Sequence, residues 1–144
     1  MKEIFPHLWF DKEAKEATEF YASLFPDSKI QSIVKLSNTP SGDAHVINFK
    51  LAGEDFMAIS AGPYFKFNPS ISMFVVFNNE EEIDTVWNKL IEGGNVLMEY
   101  NSYPWAQKYG WLQDKYGLSW QLSMSEHHKL EQKITPMMMF VWLS

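Results

Sequence analysis

Apolar residues recur along this chain at two spacings, and the spacings follow one another in the same order twice. In the first half an apolar run from Ile4 to Phe10 gives way to Ala14, Ala17, Phe20, Tyr21, Leu24 and Phe25. These recur at helical spacing until Pro26-Asp27 breaks the pattern. In the second half Ile71 to Phe77 leads into Ile83, Val86, Trp87, Leu90 and Ile91, an i, i+3, i+4, i+7, i+8 stripe that stops at Gly93-Gly94-Asn95. Asp11 is the expected N-cap of the first helix. Asn79, with Glu82 three residues on, is the expected N-cap of the second. Three strand-like runs follow each helix. They are 29–36, 45–51 and 56–61 in the first half, and 96–100, 109–113 and 118–123 in the second. Ala52-Gly53 suits a tight hairpin, and Lys115-Tyr116-Gly117 is the corresponding turn.

Each half therefore reads β-α-β-β-β. One helix cannot cover both faces of a four-stranded sheet, so the expected fold is α+β, with two β-α-β-β-β modules pairing into a curved mixed sheet. The expected organisation is a single domain over 1–124, with modules 1–61 and 70–124, followed by a linker and an apolar strand or arm over 125–144. A ligand belongs on the strand surface left bare of helices.

Three stretches stand outside the repeat. Residues 37–43 are polar and read as a surface loop. Residues 62–69 join the modules and contain Tyr64, Phe65 and Phe67, which are expected to fold back on the sheet, as core in preference to a lid. In the tail, Ile134, Pro136, Met138 and Phe140 repeat the spacing of Ile4, Pro6, Leu8 and Phe10, as an extra edge strand or the opening of a further module would. The tail is too apolar to hang in water, so it is expected to cover an open sheet edge or pack on a second chain.

Composition narrows the classes. The 144 residues are 46% hydrophobic and 16% aromatic, enough for a core without covalent staples. Cysteine is absent, which removes disulfides and thiolate chemistry together and suits a reducing compartment; a cytoplasmic location is expected. No leader-like or membrane-spanning pattern is seen, so no membrane partner is expected. With 12 Lys and Arg against 18 Asp and Glu, a net charge of −6 leaves no basic face for nucleic acid.

The order Pro6-His7-Leu8-Trp9-Phe10-Asp11, Ala17-Thr18-Glu19-Phe20-Tyr21, Leu24-Phe25-Pro26-Asp27-Ser28, Phe65-Lys66-Phe67 and residues 110–121, from Gly110-Trp111-Leu112 to Ser119-Trp120-Gln121, resembles the PhnB-like branch of the vicinal oxygen chelate superfamily. Glyoxalase I, bleomycin-resistance proteins and extradiol dioxygenases belong to that superfamily. The resemblance covers residues 3–124 and implies the glyoxalase/bleomycin resistance/dioxygenase fold, with a homodimer expected. The branch often carries the label 3-demethylubiquinone 3-methyltransferase. A methyltransferase of the usual kind holds its nucleotide cofactor on a glycine-rich loop before a helix, whereas Gly93-Gly94 comes after one.

The resemblance also implies a ligand set at the first and last strands of each module. Here those positions are His7, Ser60, Ser72 and Gln121. Only His7 is a good ligand and the serines are poor ones, so no metal and no cofactor are expected, with His7 the single candidate. Elsewhere His45 reads as a structural or surface residue. His127-His128 reads as a solvated pair, Glu99 as a strand-edge charge and Asp114 as a turn residue. What stands out is aromatic content beside strands: Trp9, Trp105, Trp111, Trp120, Tyr103 and Tyr109. Leu118, Trp120, Leu122 and Met124 alternate with Ser119, Gln121 and Ser123, giving one packed side and one polar side. The reading is a cup for an unidentified small organic molecule, lined by His7, Trp9, Ser60, Ser72, Trp111 and Gln121. It serves a metal-independent enzyme, a sequestering protein of bleomycin-resistance type, or a metal enzyme working through His7.

Overall fold

The computed structural model describes residues 4–40, 42–125 and 132–140. His127, His128, Val141 and Trp142, on which sequence expectations fell, lie outside the described residues. The chain divides into two compact units, Met1–Lys66 and Phe67–Ser144, and the division falls within the 62–69 segment.

The first unit runs β1 (His7–Phe10), α1 (Ala14–Leu24), β2 (Lys29–Thr39), β3 (Gly42–Leu51) and β4 (Glu54–Ser60). Its sheet order is β1-β4-β3-β2, with β1 parallel to β4 and the other pairs antiparallel. The crossover through α1 is what permits the parallel pair. Leu8, Phe10, Ile47, Phe49, Leu51, Phe56 and Ala58 are buried, as are Ala14, Ala17, Tyr21 and Leu24 of α1. Each large apolar side chain fully buried here contributes about 1.5 to 3 kcal/mol. Ala52 and Gly53 both take positive φ, at 49° and 80°, the two-residue turn that matches strand twist.

Three local expectations are corrected. α1 starts at Ala14 with Glu13 at the cap position and no side-chain cap from its own segment, so Asp11 does not cap it. The Ser60 hydroxyl, arriving from β4, accepts the Ala14 N–H at 2.9 Å instead. Most of the loop expected at 37–43 is strand. β2 and β3 run on to a Thr39 and Gly42 pair, and the ladder absorbs the extra length through a register shift between Leu36 and Thr39, where Asn38 has a φ of 62°. Tyr64 and Phe65 are not core; they are 65% and 67% exposed. Phe65 stands edge-on against Trp9 with ring centroids 5.1 Å apart.

The second unit repeats the order as β5 (Ile71–Phe77), α2 (Glu80–Ile91), β6 (Asn95–Tyr103), β7 (Ala106–Gln113) and β8 (Ser119–Met124), then adds β9 (Ile134–Met138). Its sheet order is β6-β7-β8-β5-β9, with β5 parallel to β8 as β1 is to β4. The Asn79 side chain accepts the Glu82 N–H at 3.0 Å, as its spacing predicts. Ile83, Val86, Trp87 and Leu90 are buried, while Ile91 is only half-buried. Gly110 marks the closest approach of helix to sheet. A Cβ there would lie 2.5 Å from the Trp87 ring and 3.0 Å from the Tyr100 Cα.

β9 lies antiparallel on the outer edge of β5. The Met139 N–H donates to Ser70 O at 2.7 Å and the Val76 N–H to Lys133 O at 3.0 Å. That phase makes 72/137 and 74/135 bonded pairs and leaves Pro136 opposite Met73 in a non-bonded pair. The missing proline N–H therefore faces away from β5, the position a strand can tolerate. Among the described residues no helix is long and apolar enough to cross a membrane.

Candidate functional site

α2 packs on the side of its sheet that carries Gly110, and cross-strand partners share a face. Met73, Val75, Leu112, Trp120 and Leu122 therefore point to the helix. The alternate residues, Ser72, Tyr109, Trp111, Ser119 and Gln121, point to the opposite face. Ser72, Ser119 and Gln121 are nonetheless buried, at 0, 0 and 5% exposure.

Buried polar groups must find partners, and these do. The Tyr109 hydroxyl donates to Gln121 Oε1 at 2.6 Å, and Gln121 Nε2 donates to the Ser72 hydroxyl at 2.8 Å. The same Nε2 faces Met137 Sδ at 3.2 Å and Met139 Sδ at 3.8 Å. Thioether sulfur only accepts, which agrees with the amide nitrogen, not the oxygen, pointing towards β9. The Trp111 indole N–H donates to the Ser119 hydroxyl at 2.6 Å. Burial, with a smaller contribution from Tyr103, pushes the Tyr109 phenol above its ordinary pKa, so at neutral pH it stays a donor.

Asp114 fixes the strand that presents Gln121. One carboxylate oxygen accepts the N–H groups of Tyr116 and Leu118 at 2.8 and 3.1 Å, and the other accepts the Trp120 indole N–H at 2.9 Å. The expected turn residue is thus the fastening of the β7–β8 turn, and Trp120 is held from the helix side while Gln121 faces away.

In the first unit His7 and Trp9 occupy the face opposite α1, since Leu8 and Phe10 take the buried one. His7 is exposed on a strand whose alternate residues, Leu8 and Phe10, are buried. The Trp9 indole N–H donates to Gly62 O at 2.9 Å. Ser60 sits on the other face, capping α1, so it does not share a surface with His7 and Trp9. Of the six sequence-predicted positions, the structure joins Ser72 to Gln121 and sets Trp111 on their face. Tyr109, Met137 and Met139 are the members that sequence reasoning missed.

The family described as 3-demethylubiquinone-9 3-methyltransferase matches residues 2–123. The chain belongs to that family. This PhnB-like chain is also similar to the PhnB protein from Bacillus cereus, with 43% identity over 86% of this chain and 100% of the other, and a TM-score of 0.81. Two more distant structures share the fold. The fosfomycin resistance protein FosX from Listeria monocytogenes is 13% identical over 85% of this chain and 94% of its own, with a TM-score of 0.60. A glyoxylase/bleomycin resistance protein/dioxygenase domain from Frankia sp. is 10% identical over 89% and 96%, with a TM-score of 0.59. No curated protein matches.

The residues of this PhnB-like chain do not fit the metal that the wider fold family implies. In the first unit His7 and Ser60 lie on opposite faces of the sheet and cannot converge on one ion. In the second, Gln121 Oε1 accepts a hydrogen bond from the Tyr109 hydroxyl and its neighbour Ser72 offers only a neutral hydroxyl, so the pair makes a poor ligand set for a divalent ion. Among the described residues no three His, Cys, Asp or Glu side chains gather where they could hold an ion.

Proposed function

We propose that this PhnB-like protein binds an uncharged small organic molecule on the helix-free face of its second sheet, at Gln121, Ser72, Tyr109 and Trp111. The observation that carries this reading is the Gln121 carboxamide, buried at the centre of that face and oriented by hydroxyls at 2.6 and 2.8 Å. A sheet face that merely packed would carry apolar side chains there; a polar group held in one orientation among aromatic rings suits ligand recognition. The groups gathered are a carboxamide, two serine hydroxyls, a protonated phenol and an indole. They recognise by hydrogen bonding and stacking, which favours binding over acid–base chemistry.

Methyl transfer from a nucleotide cofactor is not part of this reading. Gly93-Gly94 closes the α2–β6 turn: Gly93 has a φ of 73°, and a Cβ on Gly94 would sit 2.2 Å from Gln113 O. Those glycines serve a tight turn at a helix C-terminus, the end where carbonyls rather than anion-binding N–H groups are exposed.

The test is a thermal-shift and tryptophan-fluorescence screen against flat, uncharged metabolites. Hits are expected to change Trp111 emission and to weaken at least about tenfold in Gln121→Ala, the loss of roughly one buried hydrogen-bonding side chain. Hits that bind Gln121→Ala as tightly as wild type would refute the site.

A further inference from the structure

Gln121 lies on the face without a helix, yet it is 5% exposed, and the atoms against its free amide proton are two methionine sulfurs from the end of β9 and just beyond. We propose that residues 137–140 are a lid over this site, hinged at Pro136, and that the ligand which lifts it presents an uncharged acceptor oxygen, of carbonyl or ether type, where the thioether sulfurs now sit. This rests on the reading of Gln121 as the centre of a ligand site and specifies both its ligand and its closure.

The two ends of β9 are held very differently. At the base Ile134 is fully buried, and the Lys133 ammonium contacts Glu82 at 2.9 Å, donates to Val76 O at 3.0 Å and lies 4.2 Å from the centre of the Phe77 ring. At the tip Met138, Met139 and Phe140 are 66, 41 and 89% exposed. Apolar side chains left in water do little to hold the backbone beneath them, so the tip is the end that opens at low cost. Between them stands Pro136, which makes no hydrogen bond to Met73 opposite, so the ladder is already interrupted there and the tip can swing about the ψ of Pro136 and the residues beside it. Lifting the tip there breaks the backbone bonds of the 72/137 and 70/139 pairs, parts Met138 from Ile71 and gives up the two sulfur contacts to Gln121, and it leaves the base docked.

The exchange at Gln121 has a direction. Ser72 takes one amide proton and the sulfurs face the other. Sulfur is a weak acceptor, so an oxygen acceptor forms the stronger bond to the same N–H, while an anion would gain no cationic partner among the neutral groups on this face. The lid keeps the amide satisfied and dry when no ligand is present, which an open site would have to leave to water.

The experiment uses the full chain and two flat, uncharged fluorophores, 6-propionyl-2-(dimethylamino)naphthalene and 2-(dimethylamino)naphthalene, which differ only in the carbonyl side chain. The carbonyl dye is expected to bind at least about tenfold tighter, with Gln121→Leu erasing the difference. Met137→Ala/Met139→Ala is expected to tighten the carbonyl dye at least about threefold, because the closed state no longer competes with it. Met137→Leu/Met139→Leu keeps the bulk and serves where the alanine pair is poorly folded; losing only the sulfur acceptors, it too should tighten the dye. Methionine-methyl NMR on the wild type should show the Met137 and Met139 signals moving on titration. If folded methionine variants bind the dye no tighter and those signals stay still, the lid is refuted while the site stands. If binding is indifferent to Gln121→Leu, the site reading itself fails.

Discussion

Replacing Asp114 tests whether one buried carboxylate fastens the β7–β8 turn. The residue is 3% exposed, and its carboxylate accepts three N–H groups, two from the turn backbone and one from the Trp120 indole. Hydrogen bonds to a charged group contribute about 1.5 to 3 kcal/mol each, which would give roughly 4.5 to 9 if they simply added. They do not add, because in Asp114→Ala the half-buried Tyr116 amide can turn to water, whereas the indole of Trp120, itself fully buried, cannot. The expected loss is therefore about 3 to 5 kcal/mol, a large part of the 5 to 15 kcal/mol typical of a whole domain. Asp114→Asn keeps an acceptor for the turn but sets an amide N–H against the indole N–H, and should cost about 1.5 to 3 kcal/mol. Urea unfolding followed by tryptophan fluorescence and by far-UV circular dichroism measures both, and agreement of the two probes checks that one transition is being read. A loss below about 1 kcal/mol in Asp114→Ala, or an equal loss in both variants, would show that the indole bond is not the dominant contribution.

Gly110→Ala should destabilise by about 1 to 3 kcal/mol because its Cβ would meet the Trp87 ring, and Trp87→Leu in the same chain should recover part of the loss in a urea titration. Ser60→Ala removes the hydroxyl that accepts the Ala14 N–H at the start of α1 and should cost about 1 to 2 kcal/mol, with Ser60→Thr milder if the hydroxyl is what matters. Asp84 is held below its ordinary pKa first by the Lys108 hydrogen bond and then by that of Tyr100. A depressed carboxyl stabilises the fold above its unfolded value, near 3.8, and loses that contribution as pH falls through the folded one. With side chains 25 and 41% exposed, Lys108 and Asp84 should account for less than about 1 kcal/mol between pH 6 and pH 2.5, and Lys108→Met should flatten that part of the acid titration.

Both helices and strands such as β1, β3 and β4 were legible because periodicity reports which face a residue buries, and each of these has one face to bury; β2 and β6, which bury no residue, were legible only as strand-like runs in the order of the repeat. The Asn79 cap was legible for a different reason: donor and acceptor lie within one turn of the chain. Asp11 misled because the same local logic had a distant competitor, Ser60, which reaches Ala14 only once β4 has docked. The polar side of β8 was visible as alternation, but its burial was not, since what covers Gln121 comes from residues 16 and 18 positions further along. Tyr109 could have been found by extending the alternation across the neighbouring strand, where Tyr109, Trp111 and Gln113 share the face of Gln121.

Pro136 has a consequence for the chain before it folds. Residues 137–142, Met-Met-Met-Phe-Val-Trp, form an uncharged apolar run of the length that stacks into cross-β aggregates. A proline immediately before that run removes a hydrogen-bond donor from any ladder growing into it, so newly made chains carry their own interruption beside their stickiest stretch. Pro136→Val should therefore show its effect on the yield of soluble chain during expression more than on the melting temperature of the folded protein.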